Sequence, residues 1–492
     1  MHVHIVAVAG TAMGSLAGLL VELGHEVSGS DVAFDPPMGP ALETWGVRCL
    51  QGFDARHLEP EPDLVVVGNV CRRDNVEAKA AIQRGLEFTH VAGALRRFAL
   101  EGTSPLVVAG THGKTTTTSI AAWLLEAAGY EPGFLVGGIP KNFARSFRAA
   151  REPRRRLETV GGPKRQKPFV LEGDEYDTAF FEKTPKFIHY GAEVAIITSI
   201  EHDHIDIYPQ LEQYLDAFRR FISGVPEHGL IVANAADALV VELVNDAARA
   251  EVAWYALQDD DTHGMAPHWL AAPAGSNERA TSFDLFAGGV ACGRMSMPLP
   301  GRHNVGNATA AIGALAQGYG VRLDELGPAL ARFAGVKRRQ DLLGEPRGIF
   351  VYDDFAHHPT AVRETLLALR MRHPKARLFA VFEPRSATAC RNLHQAEYAR
   401  SFDSADDILI APLGRSGLPP EERLDVDRLV SELEARGRAA GSAPSVDAIV
   451  QRLVGEARPG NVIALLSNGA FGGIHARLLD ALASRTKRSP SK

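Results

Sequence analysis

The stretch PLVVAGTHGKTTTTSIAAWLLEAAG, residues 105–129, decides the fold. A short apolar run leads into a turn holding Gly110 and Gly113, and a segment with helical spacing follows. Strand, glycine turn and helix in that order make a phosphate-binding loop. The glycines let the chain curl so that several N–H groups face inward, and the helix N-terminus adds partial positive charge. Lys114 is placed to reach the β- and γ-phosphates of a nucleotide and the Thr115 hydroxyl to meet Mg²⁺, with Gly110, Thr111, His112, Gly113 and Thr116 completing the loop. The match is shortened, since the usual first glycine falls at Val108. A plain glycine turn between strand and helix is the bland alternative, and Lys-Thr at this point argues against it.

Outward from the loop, short apolar runs alternate with helical stretches, which predicts βαβ units and parallel sheets. HIVAVAG, EVSGSD and DLVVVGN precede it, and PFVLEGDEYD, VAIITSIEHD and GLIVANA follow. The pattern breaks at SFDLFAGGVACGRMSMPLPG, whose alternation around Gly288-Gly289 predicts a β-hairpin. A third series runs through GIFVYDDFAHHP, ARLFAVFEPRS, DDILIAP and NVIALLSNG. At about 150 residues per domain, 492 residues suit three. The expectation is an α/β chain of three domains, each on a mainly parallel sheet. These are a Rossmann-like N-terminal domain (1–102), a central P-loop domain with an added hairpin region (103–336) and a Rossmann-like C-terminal domain (337–485), with a tail at 486–492. The basic segment 151–167 lacks periodicity and reads as a solvated loop.

Composition narrows the function classes. Hydrophobic residues at 45% and charged ones at 23% exclude a disordered chain, and a net charge of −6 gives no global basic field for nucleic acid. Four cysteines without a C-x-x-C pair point to a reducing, cytoplasmic setting rather than a disulfide framework or zinc knuckle. The apolar N-terminus lacks Lys or Arg before Arg48 and reads as strand, turn and helix instead of a signal peptide. No uninterrupted apolar run approaches the roughly 18 residues of a membrane span, so no membrane insertion is expected. Nothing in the sequence marks an obligate protein partner.

Two acidic clusters close strands beside the loop. Glu172-Gly173-Asp174-Glu175-Tyr176-Asp177 follows PFVL, and Glu201-His202-Asp203-His204-Ile205-Asp206 follows VAIITSI. Open α/β sheets bind ligands at such strand ends. Glu172 and His204 are therefore candidate metal ligands with Thr115. Zinc would suit His202 and His204, but carboxylate neighbours and a phosphate substrate favour magnesium. In the N-terminal domain, Gly10-Thr11-Ala12-Met13-Gly14 is a partial dinucleotide fingerprint, with Asp31 at the end of the second strand. It suits a nucleotide phosphate, from NAD or from a nucleotide-linked substrate.

With these residues laid out, the chain resembles the Mur ligase family along nearly its whole length. GTHGKTTT, EGDEYD, IEHDHID, GRHNVGN (301–307), Arg338-Arg339 and DDFAHHP (353–359) occur in the family's order. EGDEYDTAFFEK, YDDFAHHPTA, FEPRSAT and SNGAFGGIH resemble the muropeptide branch of cell-wall recycling; the L-alanine-adding branch is the alternative, and a P-loop NTPase binding module a more distant one. The resemblance implies an ATP-dependent amide ligase using Mg²⁺. It would join the carboxylate of UDP-N-acetylmuramic acid, through an acyl phosphate, to a muropeptide-derived peptide, L-Ala-γ-D-Glu-meso-diaminopimelate. It implies catalytic roles for Lys114, His204 and Arg339, one Mg²⁺ on Thr115 and Glu172, and a second helped by His204. Asn304 and Asn307 would contact ATP, with Arg339 and Asp354 closing over it. Gly10, Thr11, Ala12, Met13, Gly14 and Asp31 would dock the UDP moiety, and Arg385 and Ser386 are candidates for a substrate carboxylate. Several branches use a carbamylated lysine where this chain has Phe218. The base for the incoming amine would be His204 or a water beside His357 or His358.

Overall fold

The computed structural model describes residues 1–154, 167–277, 279–415 and 417–484; residues 155–166 of the basic segment and the tail at 486–492 lie outside the described residues. Strands β1 (His2–Val6), β2 (Glu26–Asp31), β3 (Arg48–Gln51), β4 (Leu64–Val67) and β5 (Phe88–His90) form the first sheet. It is wholly parallel, in the order β3-β2-β1-β4-β5. The order reverses between β1 and β4, so the ligand crevice of this sheet lies beyond Val6 and Val67. All four residues of β4, LVVV, are buried, as a strand covered on both faces requires.

The second sheet starts with β6 (Thr103–Ala109), β7 (Gly133–Leu135), β8 (Phe147–Arg148) and β9 (Lys167–Glu172). A small hairpin follows, β10 (Asp177–Ala179) and β11 (Glu182–Pro185). The sheet then takes β12 (Val194–Ile197), β13 (Leu230–Asn234), β14 (Glu251–Leu257), β15 (Trp269–Ser276), β16 (Thr281–Ala287) and β17 (Val290–Met297). Its ten strands run β17-β16-β15-β14-β13-β12-β6-β9-β7-β8. β6 lies between β12 and β9, with Ala109 beside Ile197 and Val108 beside Glu172. The P-loop and both acidic clusters therefore leave the sheet at one edge from three adjacent strands. β15, β16 and β17 are antiparallel, and the expected turn has Gly288 at φ 55° and Gly289 at φ 79°. Positive φ at both central positions is the hairpin geometry that suits glycine.

The third sheet holds β18 (Asp341–Gly344), β19 (Phe350–Asp354), β20 (Leu378–Phe382), β21 (Asp407–Ile410), β22 (Ala439–Ser442) and β23 (Val462–Leu466). The order is β18-β19-β23-β20-β21-β22, antiparallel only between β18 and β19. The α/β expectation of mainly parallel sheets holds. One difference concerns the cores. A single apolar cluster joins Leu16 and Leu20 of the first unit to Phe147, Phe169 and Phe187 of the second. Trp45 packs edge-on to Phe147 at 4.8 Å, and Phe181 of the β10–β11 turn packs on Phe88 at 5.1 Å. The third sheet instead has its own apolar cluster on each face. It meets the central unit through polar contacts, such as Thr388 Oγ1 donating to Asp203 Oδ1 at 2.8 Å. Such polar junctions are the kind that permit domain movement. Among the described residues no helix is long and apolar enough to cross a membrane, and the four cysteines are free.

Candidate active site

The P-loop leaves β6 and enters the helix Lys114–Ala127. Gly110 has φ 135° and Gly113 φ 80°. A Cβ on Gly113 would lie 2.5 Å from Asn307 Oδ1, so the backbone conformation and a neighbouring amide both exclude a side chain. Gly113→Ala is expected to weaken nucleotide binding at least about tenfold, since left-handed backbone alone costs roughly 1–2 kcal/mol with a Cβ. Equilibrium binding of a fluorescent nucleotide measures this, and an unchanged Kd would overturn the assignment.

Around the loop, three groups lock together. Thr115 Oγ1 donates to Glu172 Oε1 at 2.8 Å and accepts from Arg339 Nη2 at 3.0 Å, linking the central and C-terminal units. Gly137 N donates to the other Glu172 oxygen at 2.7 Å. Arg339 sits between two residues with left-handed backbone, Arg338 at φ 63° and Gln340 at φ 49°. Such strain collects at functional sites. Arg338 and Arg339 both stack on Phe355, at 5.1 and 5.0 Å. Asp354 accepts from Gln340 N at 2.7 Å and from Ala356 N at 2.8 Å, which fixes the junction to β19.

Lys114 is mostly but not fully enclosed, its side chain 14% exposed, with Nζ 3.0 Å from Glu175 and a further bond to the Gly110 carbonyl. Glu175 also meets His204 Nε2 at 3.1 Å and Tyr214 OH at 3.3 Å. Burial pushes the Glu175 carboxyl up, but Lys114 and His204 pull it down further, so it stays ionised below the usual range. Burial lowers the Lys114 ammonium and Glu175 more than restores it. Glu175 is the partner that sequence reasoning missed: one of four acids in EGDEYD, with nothing in the motif to mark it as facing Lys114. Because the folded carboxyl lies below the usual 4.5, its stabilisation is full above about pH 4.5 and fades as pH falls through the folded value. Glu175→Gln, which leaves a largely enclosed ammonium without its carboxylate, is expected to cost about 3 kcal/mol at pH 7. The gap to the parent should narrow as pH falls below about 4.5, which urea midpoints from pH 7 down to pH 3 would follow; equal midpoints at pH 7 would show the pairing to be immaterial.

The cleft between the central and C-terminal units holds a cavity of about 480 Å³. Among the expected ATP contacts His112, Gly113, Thr115, Thr116, Asn304, Asn307, Arg339 and Asp354 line it. Gly110, Thr111 and Lys114 are not among the residues that line it. Asn304 Nδ2 donates to the Pro300 carbonyl at 2.7 Å and to Gln340 Oε1 at 3.2 Å, while Asn307 Nδ2 reaches Asn304 Oδ1 at 3.3 Å. Thr360 of YDDFAHHPTA also lines the cavity, as do Tyr255 and Asp237, which no local motif marked.

Oxygen donors suit magnesium: Thr115 and Glu172 offer a hydroxyl and a carboxylate 2.8 Å apart, the sparse protein ligation Mg²⁺ takes beside phosphates and water. His204, at φ 54°, points its ring toward Glu175, whereas His202 turns away to the Tyr208 carbonyl at 2.8 Å. Phe218 is buried against Phe187 and Tyr214. Burial lowers His357 and, with His112 nearby, takes His358 to about 3, which makes both weak bases.

The remaining expected residues lie elsewhere. Gly10 caps the helix Thr11–Glu22 with open space above it, as an anion site at a helix start needs. Thr11 and Ala12 are exposed, Met13 is 6% exposed in the core, and Gly14 faces Met38. Asp31 Oδ2 accepts from Ala9 N at 2.8 Å, so it holds the turn. Arg385 lies across Gly414 and Gly469 past β20, 3.7 Å from Glu383, and Ser386 Oγ accepts from Ala389 N at 2.9 Å. Neither lines the cleft.

Family models match each unit in turn: "Mur ligase family, catalytic domain" over residues 2–103, "Mur ligase middle domain" over 108–315, and "Mur ligase, glutamate ligase domain" over 338–469. The chain belongs to the Mur ligase family. Members of this family are ATP-dependent ligases that form C–N bonds. The chain is 37% identical over 489 residues to the UDP-N-acetylmuramate–L-alanyl-γ-D-glutamyl-meso-2,6-diaminoheptandioate ligase of Escherichia coli K12, covering 99% of each. It is 34% identical over 496 residues to the UDP-N-acetylmuramate–L-alanine ligase of a Roseiflexus species, covering 98% of this chain and 99% of that one. The crystal structure of a murein peptide ligase from Psychrobacter arcticus superimposes with a TM-score of 0.71 at 34% identity, covering 99% of both chains. As a Mur ligase, the chain brings P-loop residues, Glu201 of the second acidic cluster and Arg339 to one cleft between two units, with Glu172 adjoining it through Thr115.

Proposed function

We propose that this Mur ligase joins the lactyl carboxylate of UDP-N-acetylmuramic acid to the amino group of L-Ala-γ-D-Glu-meso-diaminopimelate, converting ATP to ADP and phosphate. The observation that carries the ligase reading is the chain Arg339–Thr115–Glu172, which crosses from the C-terminal unit to the P-loop within hydrogen-bond distance. The tripeptide is supported by the full-length likeness to the E. coli enzyme named for it.

In this reading the carboxylate attacks the γ-phosphate, giving an acyl phosphate and ADP. The amine then attacks the acyl carbon, and phosphate and a proton leave. Phosphoryl transfer asks for alignment and charge neutralisation more than for covalent chemistry by the protein. Lys114, paired with Glu175, and Arg339, bonded to Thr115, supply positive charge at the loop. Thr115 and Glu172 would hold one Mg²⁺ and His204 would help hold a second; when bound, such ions neutralise developing charge on the phosphates. Asn304, Asn307 and Asp354 orient the nucleotide. The open helix start at Gly10 takes a phosphate of the UDP group, and Arg385 takes a peptide carboxylate. Holding three substrates together exploits proximity, for which effective molarities of about 10⁵–10⁸ M are known.

The test is phosphate release by purified protein with UDP-N-acetylmuramic acid, ATP and Mg²⁺, offering either L-alanine or the tripeptide. Release with the tripeptide alone, with the mass of the condensed product, is the expected result. Preference for L-alanine would move the chain to the biosynthetic reaction, and release without any amine would leave a nucleotide hydrolase.

A further inference from the structure

The described residues bring two histidines and a carboxylate together in two places. Where the first and second units meet, His90, Glu182 and His189 are already satisfied. His90 Nδ1 accepts from Gly93 N at 3.2 Å, His90 Nε2 lies 3.1 Å from Glu182, and His189 Nε2 lies 2.7 Å from the Thr184 hydroxyl. The second group, His112, Glu201 and His358, is different. His112 Nε2 lies 2.8 Å and His358 Nδ1 3.3 Å from the same oxygen, Glu201 Oε2. The two rings are 4.9 Å apart, and the candidate donor atoms all fall within 4.8 Å of one another. The His358 side chain is only 7% exposed, and neither of its ring nitrogens makes a hydrogen bond. A buried polar group left unpaired costs about 1–3 kcal/mol, and no protein hydrogen bond offsets that cost here.

We propose that His112, Glu201 and His358 form a site for a divalent transition-metal ion of the zinc class, fastening the P-loop to the C-terminal unit. Zinc holds imidazole nitrogen at about 2.0–2.1 Å in tetrahedral array, which sets donor atoms roughly 3.3 Å apart. The two histidine–glutamate spacings lie close to that separation. Two imidazoles and a carboxylate are a donor set that such ions take with a fourth position open, whereas magnesium takes oxygen. The surroundings orient the donors: Thr360 Oγ1 donates to Glu201 Oε1 at 3.0 Å, and Ser199 Oγ accepts from His112 N at 3.2 Å. The three ligands come from the P-loop, the segment after β12 and the residue that starts the helix Pro359–Arg372. None of them is Thr115, Glu172 or His204, so the site is separate from the magnesium ligands proposed above, and it does not depend on the ligase assignment. Because His112 and Glu201 line the cleft, an ion here pins the C-terminal unit over it, and micromolar zinc-class metal is expected to inhibit turnover reversibly.

Co²⁺ titrated into the full-length, nucleotide-free protein tests this, with visible absorption reporting tetrahedral ligation and a chelator giving the affinity. One equivalent is expected to bind, at least about tenfold more weakly in His112→Asn and His358→Asn, and unchanged in Glu172→Gln. His358→Cys, which keeps a donor for this class of ion, should retain binding and add a sulfur charge-transfer band, which separates ligation from a folding defect. No tetrahedral Co²⁺ spectrum, or binding lost in Glu172→Gln but kept in both asparagine variants, would overturn the proposal.

Discussion

Lys114→Ala is expected to lower turnover by at least about 10²-fold, the scale for removing one group that stabilises developing charge. Lys114 also neutralises buried Glu175 at 3.0 Å, so the single variant loses stability as well as rate. The two effects separate in Lys114→Ala/Glu175→Gln. Removing the stranded carboxylate should restore much of the denaturation midpoint, while turnover stays down. His204 at 3.1 Å and Tyr214 at 3.3 Å from Glu175 leave the pocket otherwise intact. Near-normal ATP-dependent product formation in the single variant would sink the role of Lys114. Recovery of turnover in the double variant would reduce that role to a structural one.

Arg339→Ala is expected to lower kcat by about 10³-fold, the lower end of what a transition-state arginine supplies to phosphoryl transfer. The loss should fall on kcat more than on the KM for ATP, because Asn304, Asn307 and Asp354 are untouched. Arg339→Lys is not expected to rescue: a planar guanidinium both stacks on Phe355 at 5.0 Å and donates to Thr115 at 3.0 Å, and an ammonium reproduces neither well. Steady-state kinetics on both variants checks this. An effect confined to KM would show Arg339 to be a binding contact only, and rescue by lysine would make a point charge sufficient.

Much of the fold was legible in the sequence, because long buried parallel strands announce themselves as apolar runs. β1, β6, β9, β12, β13, β19, β20 and β23 all fall in such runs. β3, β7, β8 and β22 were not read, since they are two to four residues long or sit at the margins of their sheets. EVAWYAL of β14 is not legible as a strand, because a short mixed run does not separate strand from helix by period. The site divides in the same way. Gly110, Gly113, Lys114 and Thr115 stand out because phosphate binding needs a local backbone shape, and local shape is written in consecutive residues. Glu175, His112, Glu201, His358 and Thr360 fall inside motifs as well, but nothing local says which of them meet, and Tyr255 lies in no motif at all.

By itself, then, the sequence determined the α/β class, the phosphate loop, the acids at neighbouring strand ends and the family they belong to, because each depends on neighbours in the chain. Only the tertiary structure decided that Glu175 and not Glu172 pairs with Lys114, and that Arg339 reaches Thr115 across 224 positions. It also decided that His358 closes on Glu201 from another unit. Those pairings depend on sheet register and on how two units meet. Both are set by burial summed over many side chains, and no short stretch of residues contains that sum.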